Sequence, residues 1–211
     1  MTLIMALKNL ILGPLIKLIV KYPGVMKSRL FLKIMETFPA KISKTYDQKI
    51  AESGHEYEAA LEKGLNRLPV NPRQALDSAT GTGFAAFKIA EAFPDALIDG
   101  VDQAEEMIRL AREKARDKET QNIHFNTGNA LALDYPANKF DLIVTSNAPV
   151  YLDEAARLLK PGGYILVTFS FLGKAILKAQ KEIAGLLEKN GFKLIEVEVA
   201  EKGAYILGLK E

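Results

Sequence analysis

From Ala75 to the last residues, short apolar runs alternate with longer stretches whose apolar positions recur every three or four residues. Runs of four to eight apolar residues read as buried strands, and the three-to-four spacing reads as helices packed on one face. The pattern predicts strands at 74–78, 97–101, 122–126, 140–145 and 164–169, with helices at 84–93, 104–117 and 151–159. Strand and helix in strict alternation build a parallel sheet covered on both faces. After Ser170 the rhythm changes: a long helix over 173–189 stops at Asn190-Gly191, and two apolar runs follow at 192–199 and 203–209. Too few residues separate them for a crossover helix, so they pair antiparallel. The fold class is therefore α/β, a doubly wound sheet that is mostly parallel with an antiparallel strand at its C-terminal end.

Residues 1–45 have a different pattern. Leu3 to Val20 are apolar but interrupted by Lys8, Asn9, Lys17 and a Gly13-Pro14 break, which argues against a transmembrane helix of about 20 uncharged residues. No small-x-small site follows a clean apolar stretch, so a cleaved leader is also disfavoured. Charge sharpens the contrast: residues 1–45 carry eight basic side chains and one acid, Glu36, whereas the remainder has a net charge of −5. A basic, apolar segment broken in the middle suits helices lying in a bilayer interface, with lysines toward anionic headgroups. A lid over the domain and a dimer interface remain open alternatives. The chain divides into a helical extension, 1–45, and an α/β domain, 46–211, in which Tyr46–Leu68 forms one or two helices before the Pro69 and Pro72 breaks.

Composition narrows the chemistry. The chain lacks cysteine, which removes disulfides, thiolate metal sites and a cysteine nucleophile, and argues against arsenite chemistry. Two histidines far apart, His55 and His124, give a metal centre little to build on, so none is expected. The acidic domain argues against a nucleic-acid partner. A cysteine-free chain fits a cytoplasmic location, with peripheral attachment to the inner face of a membrane through residues 1–45.

The candidate site centres on Asp77-Ser78-Ala79-Thr80-Gly81-Thr82-Gly83, between the first strand and its helix. A glycine bend there presents backbone N–H groups and a helix N-terminus to a ligand. Asp102, about twenty residues further on, ends the second strand where a carboxylate reaches ribose hydroxyls. A nicotinamide dehydrogenase shares both features, and Gly81-Thr82-Gly83-Phe84-Ala85-Ala86 fits a Gly-x-Gly-x-x-Ala variant. Three features favour S-adenosylmethionine. Asp77 is a poor neighbour for a pyrophosphate but a good one for an ammonium; Gly128-Asn129-Ala130 follows the third strand, where an adenine edge needs a polar partner; and the sheet ends antiparallel.

On these residues the chain from about 73 onward resembles the class I S-adenosylmethionine-dependent methyltransferases, a Rossmann-like family. Asp77 to Gly83 matches that family's Asp-x-Gly-x-Gly-x-Gly motif, Gly100-Val101-Asp102-Gln103-Ala104-Glu105-Glu106-Met107 its second-strand motif, Phe140-Asp141-Leu142-Ile143 its fourth strand, and Leu158-Leu159-Lys160-Pro161-Gly162-Gly163 the turn into its fifth. There are two departures: Ala79 stands where the family usually has glycine, which a negative φ would tolerate, and Asn129 where an acid is commoner. The resemblance implies that Asp77, Ala79, Gly81 and Gly83, with Thr80 and Thr82 in the same bend, line the methionine side. It implies Asp102 at the ribose, Gln103 and Met107 bordering the adenine, Asn129 and Ala130 at the adenine edge, and Asn147 near the sulfonium. For Asp102, capping the next helix is an alternative, and for Met107, ordinary helix packing.

No residue stands out as a general base. His55, Tyr46, Tyr57 and Tyr151 are candidates, with Tyr46 and Tyr151 at the expected substrate mouth; each tyrosine can equally be a packing aromatic. Asn147-Ala148-Pro149-Val150 is only loosely similar to the Asn-Pro-Pro-Tyr motif of nucleic-acid amino methylases, with Val150 in the tyrosine slot. The expected reaction is methyl transfer from S-adenosylmethionine to a lipid-like or hydrophobic small-molecule acceptor at a membrane surface, such as a prenylated quinone ring or a phospholipid amine. A soluble small-molecule methyltransferase with residues 1–45 as lid or dimer contact is one alternative, and a non-catalytic cofactor-binding protein another. Acceptor atom and oligomeric state stay open.

Overall fold

The structure, a computed structural model, describes Gly24, Ser28 and residues 55–211. The helical extension expected over 1–45 and the candidate acceptor residue Tyr46 lie outside the described residues. Among the described residues no helix is long and apolar enough to cross a membrane.

Among the described residues seven strands form one sheet. In chain order the elements are α1 (His55–Asn66), β1 (Gln74–Ser78), α2 (Phe84–Ala92), β2 (Leu97–Asp102), α3 (Glu105–Asp117), β3 (Ile123–Thr127), β4 (Phe140–Ser146), α4 (Leu152–Leu158), β5 (Leu159–Phe169), α5 (Gly173–Lys178), α6 (Gln180–Lys189), β6 (Phe192–Ala200) and β7 (Gly203–Lys210). The strand order is β3-β2-β1-β4-β5-β7-β6. All neighbours are parallel except that β7 runs antiparallel to both β5 and β6. The mostly parallel sheet with one antiparallel strand is as the pattern predicted.

Successive strand residues point to opposite faces, and the sequence supplies apolar side chains to both. Ala75, Leu142, Val144 and Leu166 face a core made with Leu61 and Leu65 of α1, Ile89 of α2 and Ile108 of α3. Leu76, Ile143, Ile165 and Val167 face a second core with Leu158 of α4, Ile176 of α5 and Ile183 and Leu187 of α6. Strands buried on both sides need continuous apolar runs, which is what β1, β4 and β5 carry.

Two elements differ from the sequence pattern. β5 starts at Leu159 rather than 164: Leu159 pairs with Phe140, and the register shifts before Leu142 pairs with Tyr164. Pro161-Gly162-Gly163, which reads as a turn, is instead absorbed as an irregularity in the strand, with Gly162 at φ 77°. The long helix over 173–189 is two helices joined at Ala179, whose ψ of 13° departs from helical geometry. No glycine or proline marks that break.

α1 is strapped across the sheet edge by charge. Lys63 meets Glu198 at 2.6 Å and Arg67 meets Glu196 at 2.9 Å, while Lys88 of α2 sits 2.8 Å from Glu58 and 3.0 Å from Glu62. The buried Tyr205 hydroxyl lies 2.6 Å from Glu196 and 2.8 Å from Glu198. Arg67 first, then the Tyr205 hydroxyl, hold the Glu196 carboxyl down to about 2. Burial together with these two carboxylates pushes the Tyr205 hydroxyl well above the ordinary phenol range.

Candidate active site

β1 neighbours both β2 and β4, and the chain leaves it in one direction for β2 and β3 and in the other for β4 and β5. This reversal opens a crevice beyond the carboxyl ends of the strands, where ligands bind in open α/β sheets. The crevice here is a cleft of about 230 Å³. From β1 and its bend come Asp77, Ala79, Thr80 and Gly81; from the end of β2 and α3 come Asp102, Gln103 and Met107; from beyond β3 come Asn129 and Ala130. The end of β4 and the following loop add Ser146, Asn147, Ala148, Pro149 and Tyr151. Ten of the twelve cofactor residues expected from the sequence thus share one cavity, along with Tyr151.

The bend is tight because its own groups hold it. Thr80 N–H donates to the Val101 carbonyl at 2.9 Å, and Gly83 N–H to the Thr80 carbonyl at 3.0 Å. Gly83, at φ 87°, starts α2, and a Cβ there would stand 2.7 Å from the Phe125 ring. Gly81, at φ 55°, has open space where a Cβ would be. Thr82 is fully buried, and neither it nor Gly83 lines the cleft. Ala79 overturns its condition: φ is 60°, not negative, so an L-residue occupies the left-handed region that the family usually gives to glycine.

Asp77 is 1% exposed, and its Oδ2 accepts from Thr80 Oγ1 at 2.5 Å and from Ala86 N–H at 2.9 Å. Burial is the main cause that pushes its carboxyl up to about 7; the two hydrogen bonds oppose it and the nearby Asp102 adds to it. Asp102 uses both oxygens: Oδ2 accepts from Gly81 N–H and Oδ1 from Ala104 N–H, each at 2.9 Å. It therefore does tie down the start of α3, the alternative raised by its position. A carboxylate has about four acceptor sites, so acceptor capacity remains for a ligand's hydroxyls. Burial raises the Asp102 carboxyl, against the pull of those backbone donors. Asn129 Oδ1 accepts from Leu131 N–H at 3.0 Å. Met107 is buried while still lining the cavity, so packing and cleft wall coincide in it.

Asn147, which lines the cleft, belongs to a polar triangle with Tyr57 and Ser170, neither of which is a lining residue. Asn147, at φ 53°, donates from Nδ2 to the Tyr57 hydroxyl at 3.1 Å and to Ser170 Oγ at 3.0 Å, while its Oδ1 accepts from Ser170 N–H at 2.8 Å. Ser170 Oγ in turn donates to the Tyr57 carbonyl at 2.8 Å. Tyr57 also meets the Phe84 ring edge-on, with centroids 5.4 Å apart. Tyr151 is half-buried, and burial raises its hydroxyl pKa, which makes it a donor rather than a base. Sequence reasoning missed Phe84, Ala85, Ser146, Ala148 and Pro149 as cleft residues. Phe84 and Ala85 directly follow the glycine bend, and the other three flank Asn147, so adjacency to the motifs was the available signal.

The described lining holds two carboxylates and no basic side chain. Such a site suits a cation and disfavours a pyrophosphate. Residues 72–202 match a family described as a methyltransferase domain. The chain belongs to the class I S-adenosylmethionine-dependent methyltransferases. This methyltransferase is 29% identical to the demethylmenaquinone methyltransferase of Lactococcus lactis, a match covering 71% of each chain. It is 39% identical to that of Deinococcus radiodurans over 47% of its own length and 44% of the relative's, so it spans less than half of that protein. Its fold is shared with a SAM-dependent methyltransferase from Aquifex aeolicus: TM-score 0.67, 22% identity, 82% of this chain and 98% of that one. A geranyl diphosphate methyltransferase is also similar, with TM-score 0.60, 12% identity and coverage of 72% and 78%.

Proposed function

We propose that this methyltransferase binds S-adenosylmethionine in the cleft and moves its methyl group onto a hydrophobic, quinone-like ring at a membrane surface. The observation that carries the reading is the pairing of Asp77 and Asp102 in a cleft whose described lining holds no basic side chain, at the point where the strand order reverses. The residues fit the cofactor: Gly81 leaves room for close approach, and Asp102 keeps lone pairs for the ribose. Asp77 with Thr80 supports the ammonium, Met107, Gln103, Asn129 and Ala130 border the adenine, and Asn147 stands at the methyl end. Thr82 and Gly83 act behind the bend, by shaping it.

The bound sulfonium supplies an activated methyl group. The protein's part is to align the acceptor with it and to exclude water. Phe84 and Tyr151 form the acceptor side, with Asn147 locked by Tyr57 and Ser170 so that its side chain does not drift. The hydrophobic acceptor draws support from the two similar demethylmenaquinone methyltransferases. The membrane surface draws support from the basic, apolar residues 1–45. Calorimetry of the full chain with S-adenosylmethionine, followed by labelled-methyl transfer to a demethylated naphthoquinol, tests the reading. Cofactor binding with no transfer to quinol, phenol or phospholipid amine would leave a binding protein and refute the enzyme.

A further inference from the structure

On the edge of the cleft's acceptor side, Ser170 is followed by a stretch that the methyl-transfer site does not use. Phe171 is 51% exposed, directly next to the serine that holds Asn147 and Tyr57. Residues 170–181 contain Lys174, Lys178 and Lys181 and no acid. Lys174, Leu177 and Lys178 share one face of α5, Lys181 stands in the first turn of α6 beyond the break at Ala179, and all four are exposed, Leu177 at 43%. The opposite face, Ile176, Ala179, Ile183 and Leu187, is buried in the core. This face therefore combines a large aromatic, a leucine and three cations, with one exposed acid, Glu182, directly after Lys181.

Its position gives it a partner. Gly173 N–H at the start of α5 donates to the Lys202 carbonyl at 2.9 Å, and the Lys202 ammonium pairs with Glu56 in the first turn of α1. α1 begins at His55, one residue before Glu56, and the basic, apolar segment 1–45 ends ten positions earlier in the sequence. So the exposed face, the start of α1 and the Asn147–Tyr57–Ser170 group meet at one end of the described fold.

We infer that Phe171, Lys174, Leu177, Lys178 and Lys181 form a second membrane-contact face, which docks an anionic lipid surface against the acceptor end of the cleft. The inference rests on the membrane-surface reading above and adds a folded contact to the N-terminal one. Exposed Phe and Leu beside lysines suit a bilayer, where the apolar side chains enter the acyl boundary and the lysines meet headgroups. A soluble polyanion would have no use for them. Docking here would bring a lipid-borne acceptor to the wall that receives it.

The test is flotation of the full chain with phosphatidylcholine vesicles, with and without phosphatidylglycerol. A juxtamembrane lysine changes partitioning by about fivefold, so K174Q/K178Q/K181Q should weaken binding to anionic vesicles by about a hundredfold. F171S/L177S should weaken it on both kinds of vesicle. Both variants should melt with the parent and methylate a water-soluble acceptor at the parental rate. If the parent binds anionic vesicles and the lysine variant binds equally well, this face is overturned while the membrane reading stands. If the parent binds no vesicle, both fail. If F171S/L177S binds as the parent does while the lysine variant alone loses vesicle and heparin binding together, the face is a polyanion site and the inference is wrong.

Discussion

Replacing Ala79 by glycine is expected to stabilise the protein. Ala79 sits at φ 60°, where an L-residue is strained by about 1–2 kcal/mol because Cβ crowds the following carbonyl. Glycine lifts that strain but loosens the unfolded chain, which costs about 0.4–1 kcal/mol. The lost methyl lines an open cleft and takes little packing with it. The balance is about 0.5–1 kcal/mol in favour of glycine, or a Tm rise of roughly 1–4 °C for a domain of this size. Ala79→Val is the control with the opposite sign, since a β-branched residue is a true outlier in this region and should lower stability by about 1 kcal/mol or more. Thermal unfolding of the three proteins without ligand settles it. An unchanged or lower midpoint for glycine, or a valine variant as stable as the parent, would show that the backbone strain assigned to Ala79 is absent.

The Asp77 carboxyl gives a pH signature. Its folded value of about 7 exceeds the ordinary 3.8, so the native state binds more protons between these limits and its stability falls as pH rises through them; Asp77→Asn should flatten that slope in pH-dependent melts. A cationic ligand favours the ionised carboxylate, so calorimetric affinity for S-adenosylmethionine should strengthen as pH rises through about 7, and the Asn variant should bind about 10- to 100-fold more weakly. The Glu196 carboxyl carries the reverse sign: held at about 2 by Arg67 and Tyr205, it contributes stability above the ordinary 4.5 that is lost as pH falls toward 2, and Glu196→Gln should remove that part of the acid transition. At Gly100 a Cβ would stand 2.5 Å from the Phe125 ring, so Gly100→Ala should lose about 1–3 kcal/mol by denaturant titration.

The strand and helix rhythm was legible because burial on both faces writes itself into short apolar runs, as in Leu142, Ile143 and Val144. The bend and Asp102 were legible because each acts on neighbours close in sequence or at a spacing fixed by one β-α unit. Three things were not. The left-handed backbone of Ala79 follows from the path the bend must take, which alanine itself does not announce. The outward-sounding Thr82 is fully buried because the bend turns it inward. The Asn147–Tyr57–Ser170 triangle joins residues 90 and 113 positions apart, and only the strand order brings them together. Tyr57 could be named as a candidate from its type, but its partner could not.

The seating of α1 has a consequence for the order of assembly. Its ion pairs reach 129 and 135 residues along the chain to β6, and β6 is held in the sheet by β7, which is made after it and inserts between β5 and β6. As the chain leaves the ribosome, α1 is the first of these elements to emerge and cannot complete its docking until the last has arrived. Such long-range closure slows folding. Until then Leu61 and Leu65 lack Tyr205 and Leu207 of β7, which complete their cover, and the helix stays partly exposed.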